Sequence, residues 1–423
     1  MKQTLLGRLA AAAASAFFIY GSCAAAENAE PQWLRVAVHV HTNVSTSQYS
    51  PAETLQALGK GGADAVIFTD SLTRRWEFGM WPFPSLIRRV VEQPSVLRYG
   101  PERYVREIQE LNGAEGSLAL PAVEAAPFYY WARTPFDRRG GQIRSWQQHL
   151  LVLGVTDPAR LAALPTRAFD PYHGDRGAEP YQRFIDAAVD AGGLVFWAHP
   201  MTGHLAQHGR IEDFTEPYPH LLKMTRGYHG FALTYLGYLS LVDPGGVWDQ
   251  VLEEYAAGKR SHPVWVIGEL DWRGTGRKPD AVVTWVQVRA RTPEAILDAM
   301  RQGRMWVAIR NEGNPPAIVS FSVTDVLSSR QATLGQTLEA TAAVRVTISG
   351  ARGGKEGSTT GSTRITLIRN GKVFEIRDLP DASFSADWID QALGGLTIYR
   401  AIVEGPNGVA YTNPIFVVNG RLP

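Results

Sequence analysis

Five short apolar runs, each ending at a residue able to bind a metal ion, recur along the first two thirds of this 423-residue chain. Leu34-Arg-Val-Ala-Val38 leads into His39 and His41, residues 63–69 into Asp70, and Leu118-Ala-Leu-Pro-Ala-Val123 into Glu124. Residues 193–198 deliver His199, and residues 263–268 lead to Glu269 and Asp271. His149 is the exception, because it precedes its run at 150–154 and therefore needs an antiparallel strand or a loop folding back. Between the runs, segments such as 52–62 and 181–191 repeat apolar residues every three or four positions, the helical period. Strand and helix in alternation give βα units around a parallel sheet, whose chemistry gathers at the carboxyl ends of its strands. Side chains i and i+2 of a regular strand share a face, so His39 and His41 can reach one ion. An isolated pair of this kind reads equally well as a surface pair; the series is what gives it meaning.

Taken together, these residues resemble the PHP superfamily of metal-dependent hydrolases, named for polymerase and histidinol phosphatase, over roughly residues 36–307. The motifs that carry the resemblance are His39-Val-His41-Thr42, Phe68-Thr-Asp70, Ala122-Val-Glu124, His149, Ala198-His-Pro200 and Asp271. Residues 292–304 resemble the helix that closes the barrel in the carbamate-hydrolase-like branch. The resemblance implies an α/β fold, a distorted (β/α)7 TIM-like barrel over residues 32–312. It also implies that His39, His41, Glu124 and Asp271 hold one ion, and that Glu124, His149 and His199 hold a second, with Glu124 bridging.

Family members often bind a third ion, and the positions that would hold it look like Thr46, Ser71 and Arg273 here. Loss confined to one ligand set implies a site that keeps two divalent ions, for which this donor set suits Zn, Mn or Fe. Arg273 then either fills the vacated space as a fixed cation gripping a substrate oxygen, or turns outward to solvent. Asp70 is expected to accept a hydrogen bond from a ligating imidazole and fix its tautomer. Two ions roughly 3.5–4 Å apart can hold a bridging hydroxide as nucleophile. The implied activity is hydrolysis of a small-molecule phosphoester, or of a carbamate, amide or carboxyl ester. Loss of the third ion leans toward a diester or neutral acyl substrate, and Arg273 offsets part of that lean. The alternative is a metal-stabilised, non-catalytic binding protein of the same fold.

The other candidate residues have plainer readings beside their functional ones. His204 and His208 are spaced for one face of a short helix near the pocket, while His173, His220, His229 and His262 read as loop or surface residues. Trp76, Trp81, Tyr129, Tyr130, Trp131 and Trp272 fall just beyond strand ends, where one or two would wall a pocket and the rest would pack. Arg74 and Arg75 either face an anionic substrate or are solvated.

Residues 1–26 read as a secretory signal, with a basic start, an apolar core and the cleavage pattern Ala24-Ala-Ala26, which implies a periplasmic or secreted protein. The sole cysteine, Cys23, lies inside that segment, so the mature chain has no thiol for a disulfide or a metal. A lipid anchor on Cys23 is the weaker reading, since Tyr20-Gly-Ser22 lacks the small aliphatic residue usual there. Removing Lys2 and Arg8 takes the formal charge from +1 to −1, which offers little attraction for nucleic acid. No second apolar stretch is long enough to span a membrane after export.

After a helix capped by Thr292 with Pro293 in its first turn, the pattern changes to short alternating runs. These predict a small all-β sandwich over residues 316–423, with Asn370-Gly371 as a tight hairpin turn and 351–362 as its most mobile loop. That module holds no cluster of ligand-type residues. It reads as packing, or as a site for a glycan or protein partner that the sequence does not identify.

Overall fold

The structure, a computed structural model, describes residues 30–80, 83, 86–113, 116–166, 174–234, 239–274, 276–311, 313–353, 361–391 and 394–419. The signal segment with Cys23, Trp81, His173 and most of the loop 351–362 lie outside the described residues.

Seven strands build the first part of a mixed α/β fold: β1 (Gln32–Val40), β2 (Ala65–Phe68), β3 (Leu118–Ala125), β4 (Leu150–Leu153), β5 (Leu194–Trp197), β6 (Gly230–Leu233) and β7 (Trp265–Gly268). Each pairs with the next, in parallel except around β4, which runs antiparallel to both β3 and β5. That reversal lets His149 enter the carboxyl-end face of the sheet although it precedes its strand. Beyond β7 the chain returns to the start of the series. Leu270 N–H donates to Val38 O at 2.8 Å, Trp272 N–H to His39 O at 3.0 Å, and His41 N–H to Trp272 O at 2.9 Å. β2 to β7 are buried along their whole length, which explains why they read as unbroken apolar runs rather than as alternating ones.

Helices pack between the strands and begin at local signals. In α1 (Pro51–Lys60) the Ser50 side chain accepts from Glu53 N–H while the Glu53 carboxylate accepts from Ser50 N–H, with Pro51 opening the first turn. Glu179–Asp190 forms α2, whose Tyr181, Phe184, Ile185 and Ala188 are buried at the expected helical spacing. α3 (Val247–Ala256) packs Trp248, Val251 and Leu252 inward. α4 (Pro293–Arg301) is capped by the Thr292 hydroxyl, which accepts from Ala295 N–H at 3.2 Å. No described helix is long and apolar enough to cross a membrane.

The C-terminal part is β-rich. Ala317–Asp325, Val344–Ala351 and Ser383–Asp390 form an antiparallel sheet, which faces a second one containing Thr363–Arg369, Lys372–Leu379, Leu396–Gly405 and Gly408–Thr412. Asn370-Gly371 connects two of these strands with φ of 48° and 73°, the positive values a type I′ turn requires. The core between the sheets also takes Trp306 and Ala308 from the strand Met305–Arg310, which pairs with Gly408–Thr412. The two parts therefore share a strand, and a fully buried ion pair joins them. Arg400 donates to both oxygens of Asp249 on α3, at 2.7 and 2.6 Å, with its guanidinium 4.9 Å from the Trp248 ring.

Candidate metal centre

The carboxyl ends of the strands bring His39, His41, Glu124, His149, His199 and Asp271 together, and their approach does not follow regular strand geometry. His39 has φ of 66°, His199 of 29° and Asp271 of 44°, so candidate ligands make up three of the six non-glycine residues with positive φ among the described residues. Such a backbone costs of order 1–3 kcal/mol per residue and persists only where the surroundings enforce it. At His39 the pairing of β1 with β2 slips between Val38 and Val40. Simple i, i+2 alternation is therefore not what aims His39 and His41 at one point; a bulge with left-handed backbone does so.

Two trios of atoms result. His39 Nε2, His41 Nε2 and Asp271 Oδ1 lie 3.2, 3.4 and 3.8 Å apart. Glu124 Oε1, His149 Nδ1 and His199 Nε2 lie 2.6, 3.3 and 3.8 Å apart. Glu124 joins the trios, with Oε1 3.0 Å from His39 Nε2 and Oε2 3.6 Å from His41 Nε2. Ligands about 2.1 Å from a tetrahedral ion stand about 3.4 Å from one another, so most of these separations suit a metal without rearrangement. The Glu124–His149 contact is shorter and would have to open.

The hydrogen bonds on the outer nitrogens show which atoms face inward bare. Tyr218 OH donates to Ala198 O, so its oxygen accepts from His199 Nδ1–H at 3.1 Å, leaving His199 Nε2 with a free lone pair. Ser45 OH donates to Asp70, so it accepts from His41 Nδ1–H at 3.2 Å and leaves His41 Nε2 bare. Glu269 accepts from His39 Nδ1–H at 3.1 Å. Bare imidazole nitrogens packed 3.2 Å apart repel unless a proton or a cation lies between them, and Glu124 Oε1 is buried without a properly directed hydrogen bond. These donors fit divalent metal ions.

Without an ion, protons do part of this work. Burial opposes a charged His39, but the charges and hydrogen bonds of Glu124 and Glu269 outweigh it and raise its pKa to about 10. Burial likewise disfavours the Glu124 and Asp271 carboxylates, yet the surrounding imidazoles hold both well below the usual range, with Arg273 adding to the effect at Asp271. At His149 burial wins, and its pKa is lowered.

Asp70 accepts from Thr42 N–H at 2.8 Å, from Thr42 OH at 2.7 Å and from Ser45 OH. It acts on His41 through Ser45, where a direct bond to an imidazole was expected. Glu269, a fully buried carboxylate, makes the direct bond; the sequence placed it among the possible metal-binding residues at the end of its run but gave it no specific part in the site. The signal was its place one residue beyond the apolar run, two before Asp271. Arg273 stands half exposed and paired with Asp271 at 3.1 Å, with Arg277 on the other Asp271 oxygen at 3.1 Å.

Two cavities open over this centre. A smaller one of about 170 Å³ is lined by Thr46, Ser71, Arg74, Glu124, His149 and Arg273 among others, and one of about 500 Å³ by His149, His199, Asp271 and Arg273 among others. Thr46, Ser71 and Arg273, the positions without third-ion ligands, thus share one wall. Thr46 Oγ1 is buried without a partner, and burial together with the nearby Arg273 guanidinium lowers the Arg74 pKa. Trp76 and Tyr129 instead pack with Trp146 and Ile143 in a separate aromatic cluster, against which Trp131 rests. Trp272 is buried beside Tyr49, so Trp146, not one of the expected aromatics, is the aromatic ring lining the smaller cavity. His204 and His208 lie on a β-strand, His204–His208, where a short helix was expected.

No family model and no curated protein matches the chain. Among solved structures, it aligns with a two-domain protein from Bacteroides vulgatus containing a predicted PHP-like metal-dependent phosphoesterase. That alignment has 12% identity and a TM-score of 0.36, over 91% of this chain and 95% of that one. It also aligns with a candidate metal-dependent phosphoesterase from Bifidobacterium adolescentis, at 14% identity and a TM-score of 0.31, over 59% of this chain and 91% of that one.

Proposed function

We propose that this chain is a metal-dependent phosphoester hydrolase of the PHP type, built on a seven-stranded barrel closed by the hydrogen bonds between residues 270–272 and β1. One observation carries the reading: partners on the outer nitrogens turn His39 Nε2, His41 Nε2 and His199 Nε2 inward onto two trios joined by Glu124. A structural site usually closes on four ligands and needs no shared carboxylate. Two divalent ions, Zn, Mn or Fe, held by His39, His41 and Asp271 and by Glu124, His149 and His199, would supply an activated water and polarise the scissile group.

The chain's own residues define the rest. Glu269, Ser45 with Asp70, and Tyr218 hold the ligating rings in place. Arg273 keeps Asp271 ionised and presents its remaining donors to the cavity. Arg74 is half-buried on the same wall and makes no ion pair among the described residues, a donor group that an anionic substrate would satisfy. An unpaired guanidinium favours a phosphoester over a neutral carbamate, amide or carboxyl ester, and moderates the lean away from phosphomonoesters. Export to the periplasm or beyond, with mature modules over 32–312 and 316–423, completes the proposal and rests on the sequence alone.

The test compares chromogenic phosphomonoesters, phosphodiesters and carboxyl esters before and after chelation and metal restoration. Metal-dependent turnover of a phosphoester, falling about 10–100-fold in Arg74→Met through loss of one charge-assisted bond, is the expected result. Tight metal binding with no turnover of any ester would favour the non-catalytic binding protein instead.

A further inference from the structure

The hairpin formed by His204–His208 and Ile211–Thr215 lines the cavities over the site and carries a carboxylate–imidazole pair that the candidate metal centre does not use. His204 pairs across the hairpin with Thr215 and Ala206 with Asp213, so His204 and Asp213 are diagonal neighbours on one face. His204 Nε2 lies 3.3 Å from Asp213 Oδ2. Asp213 is completely buried, and the same oxygen accepts from Gln147 Nε2 at 2.7 Å. Its other oxygen, Oδ1, is buried without a partner. Gln147 is two residues before His149, and its N–H donates to the Thr215 hydroxyl at 3.2 Å, which fastens the hairpin to the segment that carries a candidate ligand.

This arrangement presents one nitrogen to the reaction space. The His204 side chain is 39% exposed, and it lines both cavities over the centre, one beside Glu124 and His149, the other beside His199 and Asp271. With Nε2 turned to Asp213, Nδ1 has no partner among the described residues. A buried carboxylate holding one nitrogen of an imidazole fixes its orientation and leaves the other nitrogen free for the reaction space, the design of a proton-transfer pair. A contact that only pinned the hairpin would not need to open onto both cavities.

We propose that His204, positioned by Asp213, is the catalytic acid that protonates the leaving group; this rests on the phosphoester hydrolase reading above. As a water-derived oxygen bonds to phosphorus, the bond from phosphorus to the leaving oxygen breaks with its electron pair on that oxygen. The Nδ1 proton of the His204 imidazolium moves there, giving a neutral alcohol, and solvent restores the proton through the open cavity. Asp213 serves as a positioning residue.

Leaving groups that differ in basicity read this step directly. A nitrophenolate departs without a proton, whereas a phenolate or an alkoxide needs one. The experiment measures kcat/KM of the metal-loaded full chain for nitrophenyl, phenyl and alkyl phosphate esters, in wild type, His204→Gln and Asp213→Asn, with metal content determined for each. In His204→Gln the expected loss is about 100–1,000-fold for the alkyl ester and under about tenfold for the nitrophenyl ester, at unchanged metal content. Asp213→Asn should show the same trend more weakly. Equal losses across the series, or loss of bound metal in His204→Gln, would overturn the role of His204 and leave the hydrolase reading standing. A metal-loaded wild type that hydrolyses none of the esters would overturn the hydrolase reading, and the acid with it.

Discussion

Replacing Tyr218 by Phe removes one oxygen and tests the claim that outer hydrogen bonds aim the imidazoles. The Tyr218 hydroxyl donates to Ala198 O at 2.5 Å and accepts from His199 Nδ1–H at 3.1 Å and from His149 N–H at 3.3 Å. All three partners belong to the elements that carry the second trio, and the ring is fully buried, so water cannot take the oxygen's place. At about 1 kcal/mol of net stabilisation per bond, Tyr218→Phe should cost about 2–4 kcal/mol of folding stability. With its tautomer no longer fixed, His199 should weaken the ion it shares with Glu124 and His149 by about 10–100-fold. Metal binding at the proposed site of His39, His41 and Asp271 should be unchanged. Burial pushes the tyrosine pKa well above its ordinary value, so the hydroxyl stays neutral and the effect should not vary between pH 6 and 9. Chelator-competition titrations with Zn or Mn, beside urea unfolding, read both quantities. Tyr228→Phe is the control, since that hydroxyl is equally buried but donates to Leu222 O, away from the centre. Unchanged affinity for both ions in Tyr218→Phe would refute the tautomer argument.

Other perturbations test the packing and the proton balance. Arg400→Ala strands the buried Asp249 carboxylate between the two parts of the chain and should cost about 3–5 kcal/mol by denaturant unfolding, while the double change Asp249→Leu with Arg400→Met should recover most of it. In metal-free protein His39 has a raised pKa, so its stabilising contribution is complete below about 6.5 and is lost as pH rises through about 10. Glu124 and Asp271 have lowered pKa values, so their contributions are present above the ordinary values of 4.5 and 3.8 and are lost as pH falls toward the folded-state values. The thermal midpoint of chelated protein should therefore decline between pH 6.5 and 10, and metal-loaded protein, whose ions displace the His39 proton, should lack that decline. Calorimetry in buffers of different ionisation enthalpy should show proton release on metal binding at pH 7.5.

The candidate ligands and the strand-helix alternation were legible because the buried strands are unbroken apolar runs that stop at a polar residue. The reversed β4 was legible too, from the position of His149 before its run. Backbone strain left no such trace, since nothing in Val38-His39-Val40 announces a left-handed histidine or a slipped register. Glu269 was named at the end of its run but given no specific part, because two acidic residues so close in sequence carry no sign of which would face a metal. The strand His204–His208 was read as a helix because spacing of four fits both periods, and only its pairing with Ile211–Thr215 decides between them. Ser383–Asp390 alternates exposed and buried residues without a break, yet its Ser, Ala and Asp content hid it among turns.

The most direct test of the central claim is elemental analysis of purified wild type and Glu124→Ala after metal restoration, with phosphoester turnover measured on the same samples. Two ions per wild-type chain, falling to one or fewer together with activity in Glu124→Ala, is the predicted result. Fewer than one ion per wild-type chain, or activity that survives the loss of Glu124, would contradict it.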